Sequence, residues 1–207
     1  MRLVALVALL LACSESPDAV APAGRAVPTG GDLVAGPPVN VPAQGQYIFR
    51  HWTFGDEPFW TDTLHLNQVI ETGVSPATAL AVGLKVDAAR LPPGFLAGAD
   101  LTSPATTVEL LRRDAVVGVE AQVTADRHIK RLGITCALCH STVDNSVAPG
   151  VGRRLDGLPN RDLNVGTIVA LSPVLPATVK AVFNSWGPGK YDAEFNRDGI
   201  KIGRAHV

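Results

Sequence analysis

The chain has 207 residues, of which 46% are hydrophobic and 18% are charged, and its formal net charge is -1. This composition is typical of a folded chain with one or two domains, and it excludes disorder along the whole length. Nucleic-acid binding is not expected, because it requires a broad basic surface and the Lys and Arg residues form no local cluster. The sequence has 3 cysteines, so an even set of disulfides is excluded and the thiols are predicted to serve attachment chemistry.

The N-terminus has the layout of an export signal. Arg2 supplies a positive charge, residues 3–12 are apolar throughout, and a polar stretch follows Cys13. This apolar run of about 10 residues is too short to cross a bilayer as a helix, which takes roughly 20. Residues 1–12 are therefore predicted to be a signal peptide that is removed on export.

The end of this signal, Leu10-Leu11-Ala12-Cys13, resembles the lipobox of bacterial lipoproteins. The resemblance implies that Cys13 is acylated and anchors the protein to a bacterial membrane, in the periplasm or on the outer face. The alternative is an ordinary secretory signal, with which Cys13 is removed. Residues 13–46 are rich in Ala, Pro and Gly and have no hydrophobic periodicity, so a disordered tether is predicted.

Residues 47–127 are predicted to form a small α+β region. Its first part, residues 47–60, is dense in aromatic side chains, which suit a small hydrophobic core better than a cofactor wall or a partner surface. Apolar spacing predicts a helix over residues 58–71, and a Ser-Pro start signal predicts another over residues 103–113.

The same region contains two predicted strands, over residues 78–86 and 116–123, where apolar and β-branched residues follow one another. Residues 124–127 have the composition of a turn, and residues 128–135 are predicted to return as the second strand of a β-hairpin. That hairpin leads directly into the cysteine motif.

The strongest motif is Cys136-Ala137-Leu138-Cys139-His140, which has the C-x-x-C-H pattern of c-type haem attachment. Two thiols at this spacing on a tight turn reach both vinyl groups of a haem, and the adjacent imidazole then binds the iron. A redox disulfide and half a zinc site are the alternatives. The adjacent histidine, the export signal and the lack of further cysteine pairs favour covalent haem c, one per chain.

The segment around this motif, residues 134–189, resembles the bacterial cytochrome c family. The resemblance implies a mainly α, cytochrome c-like haem domain over residues 128–200, preceded by the small α+β region. It also implies that the Pro149 carbonyl accepts a hydrogen bond from His140 and so fixes the tautomer of the proximal ligand. The alternative for Pro149 is a simple turn residue.

Further haem contacts are expected from side chains after the motif. Arg153 and Arg154 are candidates to pair with the haem propionates, although either is equally compatible with a solvated surface position. Residues 174–186 are predicted to form a second helix that packs on the haem, with Trp186 at the edge of the pocket.

The distal ligand of the iron is not specified by any motif. Cytochromes that carry electrons commonly use methionine, but the only methionine is Met1, which is lost with the signal. His51, His65 and His128 remain as candidates, and His65 is the preferred one because it lies in a predicted helix.

The C-terminal residues 201–207 are suspected not to be native. They back-translate into a widely used sequencing adapter, and its next codon in this frame is a stop. We therefore expect the haem domain to be incomplete at residue 200.

The favoured function is single-electron transfer between redox partner proteins, because no other catalytic motif is present. Three alternatives remain open. The chain is compatible with the N-terminal part of a di-haem, peroxidase-like enzyme whose second motif is missing, with a haem-based sensor, and with a non-haem binding module that carries a thiol pair.

Overall fold

The computed structural model describes residues 41–191. The predicted signal peptide, Cys13 and the suspected tail 201–207 lie outside the described residues. The α-helices are α1 (Val41–His51), α2 (Leu66–Gly73), α3 (Pro76–Ala81), α4 (Phe95–Gly98), α5 (Pro104–Arg112), α6 (Ala137–His140), α7 (Val165–Ala170) and α8 (Ala177–Asn184). The strands are β1 (Val86–Asp87), β2 (Val119–Val123), β3 (Ile129–Ile134), β4 (Ser141–Val143), β5 (Val151–Gly152) and β6 (Arg154–Asp156). Helix α1 includes residues 41–46, the last part of the predicted tether.

The strands form three separate pairs within residues 41–191. Strands β2 and β3 are antiparallel and form the predicted hairpin, with Val119 opposite Ile134. Strands β4 and β6 are also antiparallel, whereas β1 and β5 pair in parallel. No helix in this range is long and apolar enough to span a membrane.

The two helices predicted before the cysteine motif differ in outcome. Helix α5 begins at Pro104 after an N-cap at Ser103, close to the predicted range 103–113. The predicted helix 58–71 is interrupted, because His65 has a left-handed backbone with a φ of 52°. A π-helical turn, Phe59–Thr63, precedes this break and α2 follows it.

The predicted strand 78–86 is wrong over most of its length, because residues 76–81 form α3. The Ser75 side chain accepts a hydrogen bond from the Thr78 amide, and Pro76 occupies the first turn. Gly83 has a φ of 88°, which ends the helix in the left-handed conformation that glycine adopts readily. Only the two-residue β1 remains as a strand.

The predicted fold class is also wrong. The described chain is mixed α/β throughout, and only 4 of its helices have seven or more residues. The chain directly after the cysteine motif forms short strands where the resemblance implies a mainly α domain. Ser141 is extended, with φ -135° and ψ 150°, so α6 ends after one turn and β4 begins.

The main hydrophobic core extends across most of the described chain. Its buried members come from both the predicted α+β region and the predicted haem domain: Trp60, Leu64, Leu66, Val86, Val108, Leu110, Leu111, Ala115, Val116, Ile129, Leu132, Val151, Val169, Ala170 and Phe183. A second, small cluster contains Val117, Ala137 and Val143, and Phe49 packs against it. Ala137 lies within the cysteine motif, so this second cluster supports the candidate site.

Candidate functional site

The cysteine motif forms a single exposed helical turn, which we call the cysteine turn (residues 136–140). Cys136 and Cys139 are exposed residues with free thiols, although protein atoms around the Cys139 thiol raise its pKa. His140 is also exposed, and its ring makes no hydrogen bond or ion pair to another described residue. The turn therefore presents two thiols and one imidazole to solvent.

The inner side of the cysteine turn is buried against Gly118. Ala137 and Leu138 have exposed fractions of 0% and 6%. Gly118 has a φ of 76°, and a Cβ atom added to it would overlap the backbone of Leu138. Its carbonyl accepts a hydrogen bond of 3.0 Å from the Thr135 amide, just before the motif. Glycine at this position thus allows the turn to sit directly on the start of the hairpin.

Asn160 holds the outer end of the cysteine turn. Its backbone amide donates to the Cys139 carbonyl at 2.9 Å. Its side-chain amide donates to the Gly83 carbonyl at 2.9 Å and to the Leu138 carbonyl at 3.4 Å. The Gly157 amide also donates to the His140 carbonyl at 2.8 Å. The carbonyls that a one-turn helix leaves unpaired are therefore satisfied by the chain that follows.

Asp56 fixes the strand that leads into the turn. Its side chain is buried and accepts hydrogen bonds from the Ile134 amide at 3.2 Å and from the Trp60 indole at 2.7 Å. Ile134 ends β3, two residues before Cys136. The entry to the cysteine turn is consequently tied to the aromatic-rich segment around Trp60.

A network of charged side chains lies next to Ser141, the first residue after the cysteine turn. The buried Ser141 hydroxyl donates to Asp156 at 2.9 Å, and Arg50 and Arg154 donate to the same carboxylate at 2.7 Å and 2.8 Å. Burial alone would raise the pKa of Asp156, but the hydrogen bonds from Arg50 and Ser141 and the charges of both arginines lower it. Burial also lowers the pKa of Arg154. Asp156 is therefore held ionised next to Ser141, the residue that follows His140.

The residues predicted as further haem contacts are not gathered at the turn. Pro149 lies in the loop between β4 and β5, and no hydrogen bond joins it to His140 in the described structure. Arg153 is 76% exposed and lies 3.5 Å from Asp144. Arg154, in contrast, is only 9% exposed and pairs with Asp156. Trp186 packs on the main core and contacts the Phe183 ring edge to face.

The three candidate distal histidines lie in different surroundings. His51, at the end of α1, is 2.7 Å from Glu120. His128 is exposed at the hairpin tip and is 3.2 Å from Glu71, whose hydrogen bond raises its pKa, as do the charges of Asp126 and Glu71. His65 is partly buried at the break before α2 and makes no side-chain hydrogen bond within the described range. Within residues 41–191, none of the three makes a hydrogen bond or ion pair to the cysteine turn.

Sequence reasoning found the three residues of the motif but missed the residues that position it. The sequence could have indicated Gly118, because an isolated glycine in a predicted strand often marks a close backbone approach. It could not have indicated Asn160 and Asp56, because their hydrogen-bond partners are distant in sequence. Among the described residues, no group of three or more His, Cys, Asp and Glu side chains is arranged to hold a metal ion.

The chain matches no protein-family model, no curated protein and no solved structure.

Proposed function

We propose that the protein is an exported c-type cytochrome that transfers single electrons. Cys136 and Cys139 would hold one haem through thioether bonds, and His140 would be its axial ligand. The observation that carries the proposal is the C-x-x-C-H sequence on an exposed turn with free thiols. The bound haem would supply the one-electron couple.

The residues present fit such a group. Both cysteines are exposed residues outside the two hydrophobic clusters, so attachment requires no displacement of the buried core. The His140 ring has no partner among the described side chains, which leaves a ring nitrogen available for a ligand bond. The Gly118 and Asn160 contacts hold the turn backbone in place, and a fixed backbone keeps the imidazole and thiols on one surface.

The charges next to the turn are balanced. Ser141 follows His140 directly, and its hydroxyl binds Asp156, which in turn binds Arg50 and Arg154. The charge of Asp87 also acts on Arg154, so two guanidinium groups are matched by two carboxylates, and the network holds the backbone after His140 without a net charge. Arg154 would support the site through this network rather than by contact with the haem, since its side chain is largely buried.

A pyridine haemochrome assay tests the attachment. The full chain is produced together with the c-type maturation machinery and then unfolded under denaturing conditions. We expect haem to remain bound to the wild-type polypeptide, to be attached through one thioether in Cys136→Ser or Cys139→Ser, and to be lost in the double variant. Lys130→Met is the control, because Lys130 is exposed on β3 and has no predicted role at the haem, and it should leave the spectrum unchanged. A wild-type chain without covalent haem would refute the proposal.

We also propose that Cys13 carries a lipid anchor that holds the protein at a bacterial membrane, where it would meet its redox partner proteins. The support is the lipobox-like segment that ends at Cys13. Labelling of growing cells with a radioactive fatty acid should mark the wild-type protein and leave Cys13→Ala unmarked. Equal labelling of the two would contradict the anchor, and it would leave the haem proposal unaffected.

A further inference from the structure

A cavity of about 240 Å³, open to solvent on one side, lies between the end of α3 and the loop before β5. Its lining includes no residue of the cysteine turn. At roughly 30 Å³ per water molecule, it holds on the order of eight waters, which suits a ligand of similarly few non-hydrogen atoms. Its wall combines apolar and polar side chains: Leu80, Ala81, Pro149, Lys85, Asn145 and Asp162.

Lys85 is the central polar group of this cavity. Its side chain is only 8% exposed, and its Nζ lies 2.5 Å from Oδ2 of Asp162, whose own side chain is 72% exposed. An ammonium group has three N–H donors. Asp162 is the only acceptor that Lys85 meets within residues 41–191, so two donors are left without a protein partner. A buried charge is costly unless it is fully hydrogen-bonded, and the adjacent cavity is where further acceptors can be placed.

Asn145 adds a second donor to the cavity wall. Its side-chain carbonyl accepts a hydrogen bond of 2.7 Å from the Gly150 amide. The amide NH2 of the same side chain makes no hydrogen bond to another described residue, so it is available to a ligand. Lys85 and Asn145 together provide the donors that a carboxylate requires.

The charges of the side chains in the cavity restrict the class of ligand that it can bind. Lys85 and Asp162 cancel, so the cavity is polar and neutral. A simple anion would meet the Asp162 carboxylate, and a simple cation would meet the Lys85 ammonium. We propose that the cavity binds a small α-amino acid, with its carboxylate on Lys85 and Asn145 and its ammonium on Asp162. Leu80, Ala81 and Pro149 would cover the aliphatic part.

Titration of the haem-loaded full chain with three probes tests this site. The probes are L-alanine, acetate and ethylamine, followed by NMR or calorimetry. A ligand of alanine's size is expected to bind with a Kd on the order of 1 mM. Acetate and ethylamine carry only one of the two charges, so we expect each to bind at least about tenfold more weakly.

Variants separate a zwitterion site from an anion site. Asp162→Asn should weaken alanine binding but strengthen acetate binding, because it removes a partner of the ammonium and a repulsion of the carboxylate. Lys85→Met should abolish both, and Lys130→Met, on an exposed part of β3, should change neither.

Two results would overturn the proposal: acetate binding as tightly as alanine, or no saturation by alanine at roughly 50 times the expected Kd. If Lys85→Met does not fold, Asp162→Asn and the three probes still decide the question. The same titration on protein without haem keeps the outcome independent of the proposed cytochrome function.

Discussion

At the scale of the residue, Gly118 meets two separate requirements. Its positive φ would strain any other L-residue, and the space beside it is occupied by the backbone of Leu138. The first requirement alone costs about 1–2 kcal/mol for a non-glycine residue. The second adds a steric penalty, because the cysteine turn would have to move off the hairpin.

Gly118→Ala should therefore destabilise the fold more than alanine at a glycine with a similar φ and open surroundings. Gly55, with a φ of 80° and no atom near a built Cβ, is such a control. We expect Gly55→Ala to lower the free energy of unfolding by about 1–2 kcal/mol, and Gly118→Ala by about 1–3 kcal/mol more. Urea unfolding followed by circular dichroism measures both. Equal losses of the free energy of unfolding in the two variants would show that the cysteine turn imposes no steric limit at position 118.

Cys139 should titrate unusually late for an exposed residue. The protein atoms around its thiol raise its pKa above the ordinary 9.0, and the neighbouring Cys136 adds a smaller contribution. In haem-free Cys136→Ser protein the burial of the Cys139 thiol remains. We therefore expect the rate of Cys139 alkylation to rise with pH, with a midpoint above pH 9.0. Mass spectrometry of the labelled peptide follows the reaction. The same protein in urea should show a lower midpoint, and an unchanged one would contradict the role of burial.

At the scale of the element, predictions held where the signal is local. Ser103 and Pro104 start α5, and the turn at residues 124–127 joins β2 to β3, as their residue types indicate. The prediction for residues 78–86 is wrong although Ser75 and Pro76 are a local helix start signal, because the apolar run that follows them has the composition of a strand. The break at His65 could not be predicted, since no residue type there requires a left-handed backbone.

Helix α5 also carries an ion pair with a defined pH dependence. A hydrogen bond from Arg112 lowers the pKa of Glu109 from 4.5 to about 2 against the opposing effect of burial, and Arg113 adds to it. Since the pKa is lower in the folded state, the pair stabilises the fold above pH 4.5, and this contribution is lost as the pH falls toward 2.

Glu109→Gln tests this pair. Arg112 is 47% exposed, so solvent screens the interaction, and we expect a loss of about 0.5–1 kcal/mol at neutral pH. The difference from wild type should shrink as the pH approaches 2, and high salt should reduce it. Urea unfolding across this range measures it. A difference that is constant with pH would contradict the assignment.

At the scale of the whole molecule, the cysteine motif could be predicted from the sequence, but the fold around it could not. The C-x-x-C-H spacing is local and needs no tertiary information. The fold class depended on a resemblance that implies a mainly α domain, whereas Ser141 begins strand β4 and its side chain binds Asp156 in β6. Such a contact between distant residues leaves no periodic signal in the sequence.

The shared core leads to the last prediction. Trp60 and Phe183 belong to one buried cluster, which also includes Ile129 and Leu132 from β3. Neither residues 41–127 nor residues 128–191 contain the whole of this cluster, so each part alone would expose a large apolar face. The described chain should thus unfold as one cooperative unit.

Expression of the two parts and of residues 41–191 tests that cooperativity. We expect the longer chain to unfold in urea in a single transition that coincides by tryptophan fluorescence and by circular dichroism. Each part alone should show no cooperative transition, because the free energy of folding of a small domain is only about 5–15 kcal/mol, and each part contains only some of the buried residues of this core. Mixing the parts should restore structure if they recognise each other through the same faces. A cooperative transition in residues 41–127 alone would instead show that the α+β region is an independent domain. The cysteine turn would then pack against a domain that is stable without it.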